Sequence, residues 1–218
     1  MRNVIILGAG GAGAEVTFYI EDHNAKVKKD DHINILGYID DSKKSWEKYN
    51  YKAPLICDIG SYSPKEDEEV LIAVGDMKSR KKIIEILLQK KVRIGSFIHP
   101  SVIIPENIEM GIGNIVLPFC VIEKYAIIGN YNFITSFSFI SHDCVVGDNN
   151  FFSVAGIAGS VKVGNNNYFG IRSTVIPGIE IGDNNVIQAG MIVDKNVKDD
   201  TTVFYRYKEK VLAIPKSN

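Results

Sequence analysis

The feature that most constrains this chain is a six-residue beat that begins near its middle. Stepping by six from Ile98 reaches Ile104, Met110, Val116, Ile122, Ile128, Ile134, Ile140 and Val146. After a change of phase it resumes at Val163, Phe169, Val175, Ile181, Ile187 and Val193, and every one of these residues is apolar. Four places after most of them stands a small residue, among them Asn114, Cys120, Ala126, Asn132, Ser138, Cys144, Asn167, Ser173 and Asn185. Each hexad therefore offers one large and one small inward side chain. Glycine follows the large residue at Gly111, Gly129, Gly147, Gly164 and Gly182, at spacings of 18, 18, 17 and 18. Three hexads per turn make a triangular prism, the signature of a parallel β-helix. The interval of 17 between Val146 and Val163 means that one coil lacks a residue within 150–159.

Before Ile98 the grammar is different. Val4–Leu7 reads as a strand, Glu15–Asp22 as a helix, Ile33–Asp40 and Glu69–Val74 as strands, and Met77–Gln89 as a helix with apolar residues at helical spacing. Alternating strands and helices predict βαβ units on a parallel sheet. The expected organisation is an α/β Rossmann-like domain over 1–97 and a β-helix domain over 98–218. The first is expected to cover one end of the column, and the segment 199–215 is free to fold across the other. The segments 26–31 and 58–67 read as solvated connections.

Composition narrows the function. The 218 residues carry 25 basic and 26 acidic side chains, a formal net charge of −1, which argues against a broad electrostatic footprint on nucleic acid or an anionic membrane. No apolar run approaches bilayer length. Three cysteines without a C-x-x-C pair suggest neither a disulfide framework nor a zinc site, and no metal constellation is expected. A reducing, cytoplasmic setting fits.

Two motifs carry chemistry. Gly8-Ala9-Gly10-Gly11-Ala12-Gly13 follows a strand and precedes a helix, where backbone N–H groups receive phosphates. The bland alternative is a tight turn whose glycines only permit close helix packing. Asp40 and Asp41 end the second strand, within reach of ribose hydroxyls, and the turn at Gly75 is expected to line the same crevice. On the coil, Ser141-His142-Asp143-Cys144 sets an imidazole beside a carboxylate at a corner of the prism. That pair suits a general base for acyl transfer if the corner breaks the strand alternation that would otherwise point Asp143 away. By spacing alone His142, and still more His23, His32 and His99, read as plain surface histidines.

With these motifs in place, the chain resembles bacterial sugar O- and N-acetyltransferases of the sialic acid O-acetyltransferase type, which include enzymes acting on UDP-linked 4-amino sugars. The likeness implies a left-handed β-helix, a homotrimer, and acetyl-CoA lying between neighbouring prisms. It implies that His142 is the general base and Asp143 its supporter. Gly159, Ile171 and Ala189 would line the donor groove, with the Gly159 N–H facing the thioester oxygen. Gly8, Gly10, Gly11, Ala12, Gly13, Asp40, Asp41 and Gly75 would hold a nucleotide-sugar used in surface glycan biosynthesis. Two positions depart from the family pattern: Ala12 replaces a histidine of the loop, and Phe151 replaces a second histidine near the thioester. The readings in competition are N-acetylation of an amino sugar, O-acetylation of sialic acid or a related sugar, a non-catalytic trimeric nucleotide-binding scaffold, and an NAD-dependent oxidoreductase.

Overall fold

The computed structural model describes residues 1–205. The N-terminal part contains strand β1 (Arg2–Leu7), helix α1 (Gly11–Lys26), β2 (Ile33–Ile39), α2 (Lys43–Lys48), β3 (Leu55–Cys57), β4 (Glu69–Ile72) and α3 (Met77–Gln89). Its four strands form a parallel sheet in the order β3-β2-β1-β4. Alternation along β1 sends Val4 and Ile6 to one side, where they meet Val16 and Ile20 of α1. Ile5 and Leu7 go to the other side, against Ile84 and Leu87 of α3. Helix α1 begins four residues earlier than the sequence pattern suggests, because two glycines occupy its first turn. The short elements α2 and β3 carry no periodic signal.

From Phe97 onward the chain winds through two-residue strands stacked into three parallel sheets of seven, five and five strands. In each strand of the first face the leading residue points outward and the second inward, as Phe133 and Ile134 do. The inward hexad residues from Val116 to Val193 form one continuous core. Ile98, in the opening coil, is an exception at 36% exposed. The short coil lies between the strands Phe151–Phe152 and Gly156–Ile157, whose inward residues Phe152 and Ile157 are five apart instead of six.

Turning the chain three times per coil requires left-handed corners. Phe119, Tyr125, Phe137, Asp143, Ser160 and Arg172 all have φ between 57° and 65°. The corner leading into the first face also leaves backbone N–H groups in a dry interior, and asparagine satisfies them. The Oδ1 atoms of Asn114, Asn132, Asn150 and Asn167 accept the backbone N–H of the next asparagine, one coil on, at 2.8–2.9 Å. Asn132 and Asn150 also donate through Nδ2 to the Gly147 and Gly164 carbonyls. The small inward residue of the hexad is therefore also a hydrogen-bonding rung.

The N-terminal domain does not sit across the end of the column. It lies against the outside of the first face, where Phe97, Ile115, Phe133 and Phe151 join Val4, Ile6 and Val16 in one core. The physical reason is that these outward positions are apolar and cannot be left in water. Val102, Ile104, Ile108 and Met110, all partly buried, pack on the core at the opening end. At the far end Thr202–Val203 adds a last strand to the first face, and Phe204 and Tyr205 are exposed. The remainder of the expected C-terminal cap, including Arg206, Tyr207 and Ala213–Lys216, lies outside the described residues. No helix of the described residues is long and apolar enough to cross a membrane.

Replacing Asn150 with alanine orphans the Asn167 N–H and the Gly164 carbonyl in the core. It should cost about 1–3 kcal/mol for each group left unpaired, read as a lowered denaturation midpoint.

Candidate active site

The corner between the second and third faces carries Lys124, His142, Gly159 and Pro177 at successive levels. Asp143 follows His142 with φ +58°, and this left-handed kink breaks the strand alternation. Its carboxylate consequently swings back to its neighbour, with His142 Nδ1 and Asp143 Oδ2 2.7 Å apart. With Nδ1–H donating to the carboxylate, the lone pair of the ring lies on Nε2. Hydrogen bonding to Asp143 raises the imidazole pKa, and the Asp143 and Glu123 charges add to the effect. The ring is well exposed in the single chain, and the Asp143 hydrogen bond outweighs the opposing effect of partial desolvation.

Glu123 was not singled out by sequence. It sits one coil below, and its Oε2 accepts the His142 backbone N–H at 3.0 Å. Its separation of 19 residues, close to one full coil, was the available signal. The next level up is Gly159, and the imidazole lies over its α-carbon. A Cβ there would stand 2.6 Å from His142 Cε1 and 2.7 Å from Nε2. Among the described residues no backbone carbonyl takes the Gly159 N–H, which leaves a donor beside the imidazole. Cys144, next in sequence, points into the core, where its thiol donates to the Ala158 carbonyl and burial raises its pKa.

Ile171 and Ala189 lie on a different corner, between the first and second faces. They stack on one another, since the Gly190 N–H donates to the Ile171 carbonyl at 2.9 Å, and both are exposed. Tyr205 donates from its hydroxyl to the Gly190 carbonyl at the same corner. The structure thus brings Gly159 to His142 and keeps Ile171 and Ala189 apart from them by the width of one face.

At the C-terminal edge of the N-terminal sheet, the glycine motif divides into two kinds of residue. Gly8 has φ +104° and lies against Ala73, while a Cβ at Gly13 would run into the Gly8 carbonyl, so these two are required by packing. Gly10 has open space on its Cβ side, and Gly11 meets only the Tyr49 hydroxyl at 3.5 Å. Gly10 caps α1 without any side-chain hydrogen bond. The first-turn N–H groups, including those of Gly11, Ala12 and Gly13, have no intrahelical partner. Asp40 braces the loop, accepting the Ala9 N–H at 2.7 Å on one oxygen and the Ser42 N–H at 2.7 Å on the other. Asp41 accepts the Ile59 N–H at 3.1 Å.

Leu7, Gly8, Ile39, Asp40, Asp41 and Val74 line a cleft of about 200 Å³ there. That is below the roughly 300–1,000 Å³ of a whole-ligand pocket and suits one flat ring. Gly75 is placed at the seam with the prism, 3.5 Å by its Cβ direction from the Phe151 ring. Phe151 is buried there in a stack with Phe133 and Tyr168, in the core shared by the two domains. His99 is not a surface histidine: it is 1% exposed, bonded through Nε2 to Asp22 and through Nδ1 to Ser101.

Two family descriptions match the sequence: the PglD N-terminal domain over residues 3–87 and the hexapeptide repeat of succinyl-transferase over residues 160–195. No curated protein matches it significantly. Among solved structures, the acetyltransferase domain of PglB from Neisseria gonorrhoeae, in complex with acetyl coenzyme A, superposes with a TM-score of 0.77 at 20% identity, over 92% of this chain and 95% of that one. PerB from Caulobacter crescentus, in complex with CoA and GDP-perosamine, gives 0.76 at 22% identity, over 93% of each chain. WeeI from Acinetobacter baumannii gives 0.77 at 22%, over 93% of this chain and 96% of that one.

Replacing Asp143 with asparagine keeps a residue that tolerates the left-handed corner and removes the charge. With the partner that raises the imidazole pKa neutralised, His142 should titrate at lower pH in the variant than in the wild type, read by NMR of the ring protons. Gly159→Ala should displace the imidazole, since its Cβ would stand 2.6 Å from His142 Cε1, read as a changed His142 ring chemical shift with the fold intact by circular dichroism. The chain thus carries a PglD N-terminal domain and a hexapeptide repeat, and it shares the fold of these solved sugar acetyltransferases.

Proposed function

We propose that this protein transfers the acetyl group of acetyl-CoA to the amine of a nucleotide-linked amino sugar, in a ternary complex and with His142 as general base. The observation that carries the reading is the imidazole held through Nδ1 by Asp143, with its Nε2 beside the α-carbon of Gly159 and facing outward. Nε2 takes the proton as the acceptor nitrogen attacks the thioester carbonyl. The Gly159 N–H is the donor for the oxyanion that forms, and CoA thiolate leaves as the tetrahedral species collapses. No covalent acyl-enzyme is required, since the nearby thiol of Cys144 is turned inward and kept protonated.

The two corners explain why one chain is insufficient. If left-handed prisms associate as a homotrimer, the His142 corner of one copy meets the Ile171 and Ala189 corner of the next, and the donor lies in the seam between them. The exposed Phe119, Phe137 and Ile171 along that corner favour such an association. The acceptor is assigned to the N-terminal cleft, with its base between Asp40, Asp41 and Val74 and its phosphates on the amides of Gly10–Gly13. PerB, of the same fold, was solved with CoA and GDP-perosamine, which supports this class of acceptor.

The test is a screen of nucleotide-linked amino sugars with acetyl-CoA, following release of free thiol. His142→Ala should lower kcat by about 10²–10⁴ while saturable acetyl-CoA binding persists. Unchanged turnover would remove His142 from the chemistry, and a protein that does not bind acetyl-CoA would be a scaffold.

A further inference from the structure

The mechanism leaves unused the largest fully buried side chain, a charged one. Arg80 projects from the buried side of α3 and is 1% exposed. Four hydrogen bonds hold its guanidinium. Nη1 donates to the carbonyls of Ile72 at 3.2 Å and Val74 at 2.9 Å, Nη2 to the carbonyl of Tyr131 at 2.6 Å, and Nε to Asn149 Oδ1 at 3.1 Å. Its face approaches the Phe133 ring at 5.6 Å. Among the described residues no carboxylate pairs with it. Burial pushes its pKa down to about 9, and it remains a cation at neutral pH.

Burying an unpaired cation is an expensive way to join two surfaces, since apolar residues of similar volume often do as well or better. What the guanidinium supplies is direction. Two of its acceptors, Ile72 and Val74, belong to the end of β4 and the turn after it, and Val74 lines the cleft beside Gly8 and Asp40. The other two, Tyr131 and Asn149, are left-handed corner residues of consecutive coils, with φ of 58° and 53°. Asn149 is tied onward to Asn166 on the following coil at 3.0 Å. A planar fork with fixed donor angles therefore joins the wall of the acceptor cleft to three levels of the prism.

We propose that Arg80 is a positioning residue for acetyl transfer, fixing the acceptor cleft on the prism so that the sugar amine arrives at the correct height and angle. The inference rests on the acceptor site proposed above. A misplacement of about 1 Å can cost on the order of a hundredfold in rate.

Arg80→Met, of similar length and without donors, is the first variant. Its kcat/KM for the nucleotide-sugar should fall by about 10- to 100-fold, while the KM and binding constant for acetyl-CoA stay within about twofold. Arg80→Lys, which keeps the charge and three donors, should recover part of the loss. Asn149→Ala, which removes the acceptor of Arg80 Nε and the Nδ2 bond to Asn166, should show a smaller loss of the same kind and carries the test if Arg80→Met does not fold. Wild-type kcat/KM in Arg80→Met overturns the proposal, as does an equal loss on the acetyl-CoA side, because the side chain would then be acting on the whole fold. Hydrogen exchange at the amides of Val74–Asp76 separates this outcome from failure of the enzymatic reading. Even if the wild type acetylates no nucleotide-sugar, faster exchange in Arg80→Met identifies the clamp, and unchanged exchange sinks it.

Discussion

The structure depends on the requirement that every coil be hydrogen-bonded to the coils above and below it. A two-residue strand provides little cohesion of its own, and corners interrupt the ladder three times per turn. The asparagine rungs resolve this by supplying an acceptor for each inward N–H at one corner, coil after coil. An outer series, in which Asn130, Asp148, Asn165 and Asp183 each accept a backbone N–H from one coil below, does the same at the surface. Once the backbone is satisfied, the register is fixed, and residues 17–19 apart in sequence become neighbours.

Everything functional on the prism follows from that register. Glu123, His142 and Gly159 share no local motif, yet stacking sets carboxylate, imidazole and free amide donor at three consecutive levels. The left-handed φ of Asp143, a geometric necessity of the corner, is also what returns its carboxylate to the ring. The same conformation that turns the chain therefore orients the imidazole.

What could be read from the amino acids was whatever repeats. The inward hexads, the glycines every 18 residues and the helix Met77–Gln89 were all legible because periodicity reports burial directly. The seat of the N-terminal domain was not, although Ile115, Phe133, Phe151 and Tyr168 mark the outward side of one face at the coil spacing. An outward position in a repeat normally signals solvent, and only its aromatic content hinted at a partner. Arg80 was hidden for a related reason: it shares a helical face with Ile84 and Leu87, where a cation is unexpected. In the glycine loop the packing interpretation holds for Gly8 and Gly13, whose Cβ sides are filled, whereas Gly10 and Gly11 are left open. Phe151 packs in the core shared by the two domains, because position in the chain does not specify which domain lies opposite.

The single shortened hexad, between Phe152 and Ile157, has an evolutionary corollary. A solenoid whose repeats touch only adjacent repeats absorbs a lost residue locally, and the sheets on either side resume their pairing without strain spreading. Duplication or deletion of one entire turn would be tolerated for the same reason. The height of the column is thus free to change in quanta of one turn while the side chains gathered at a given level stay as they were.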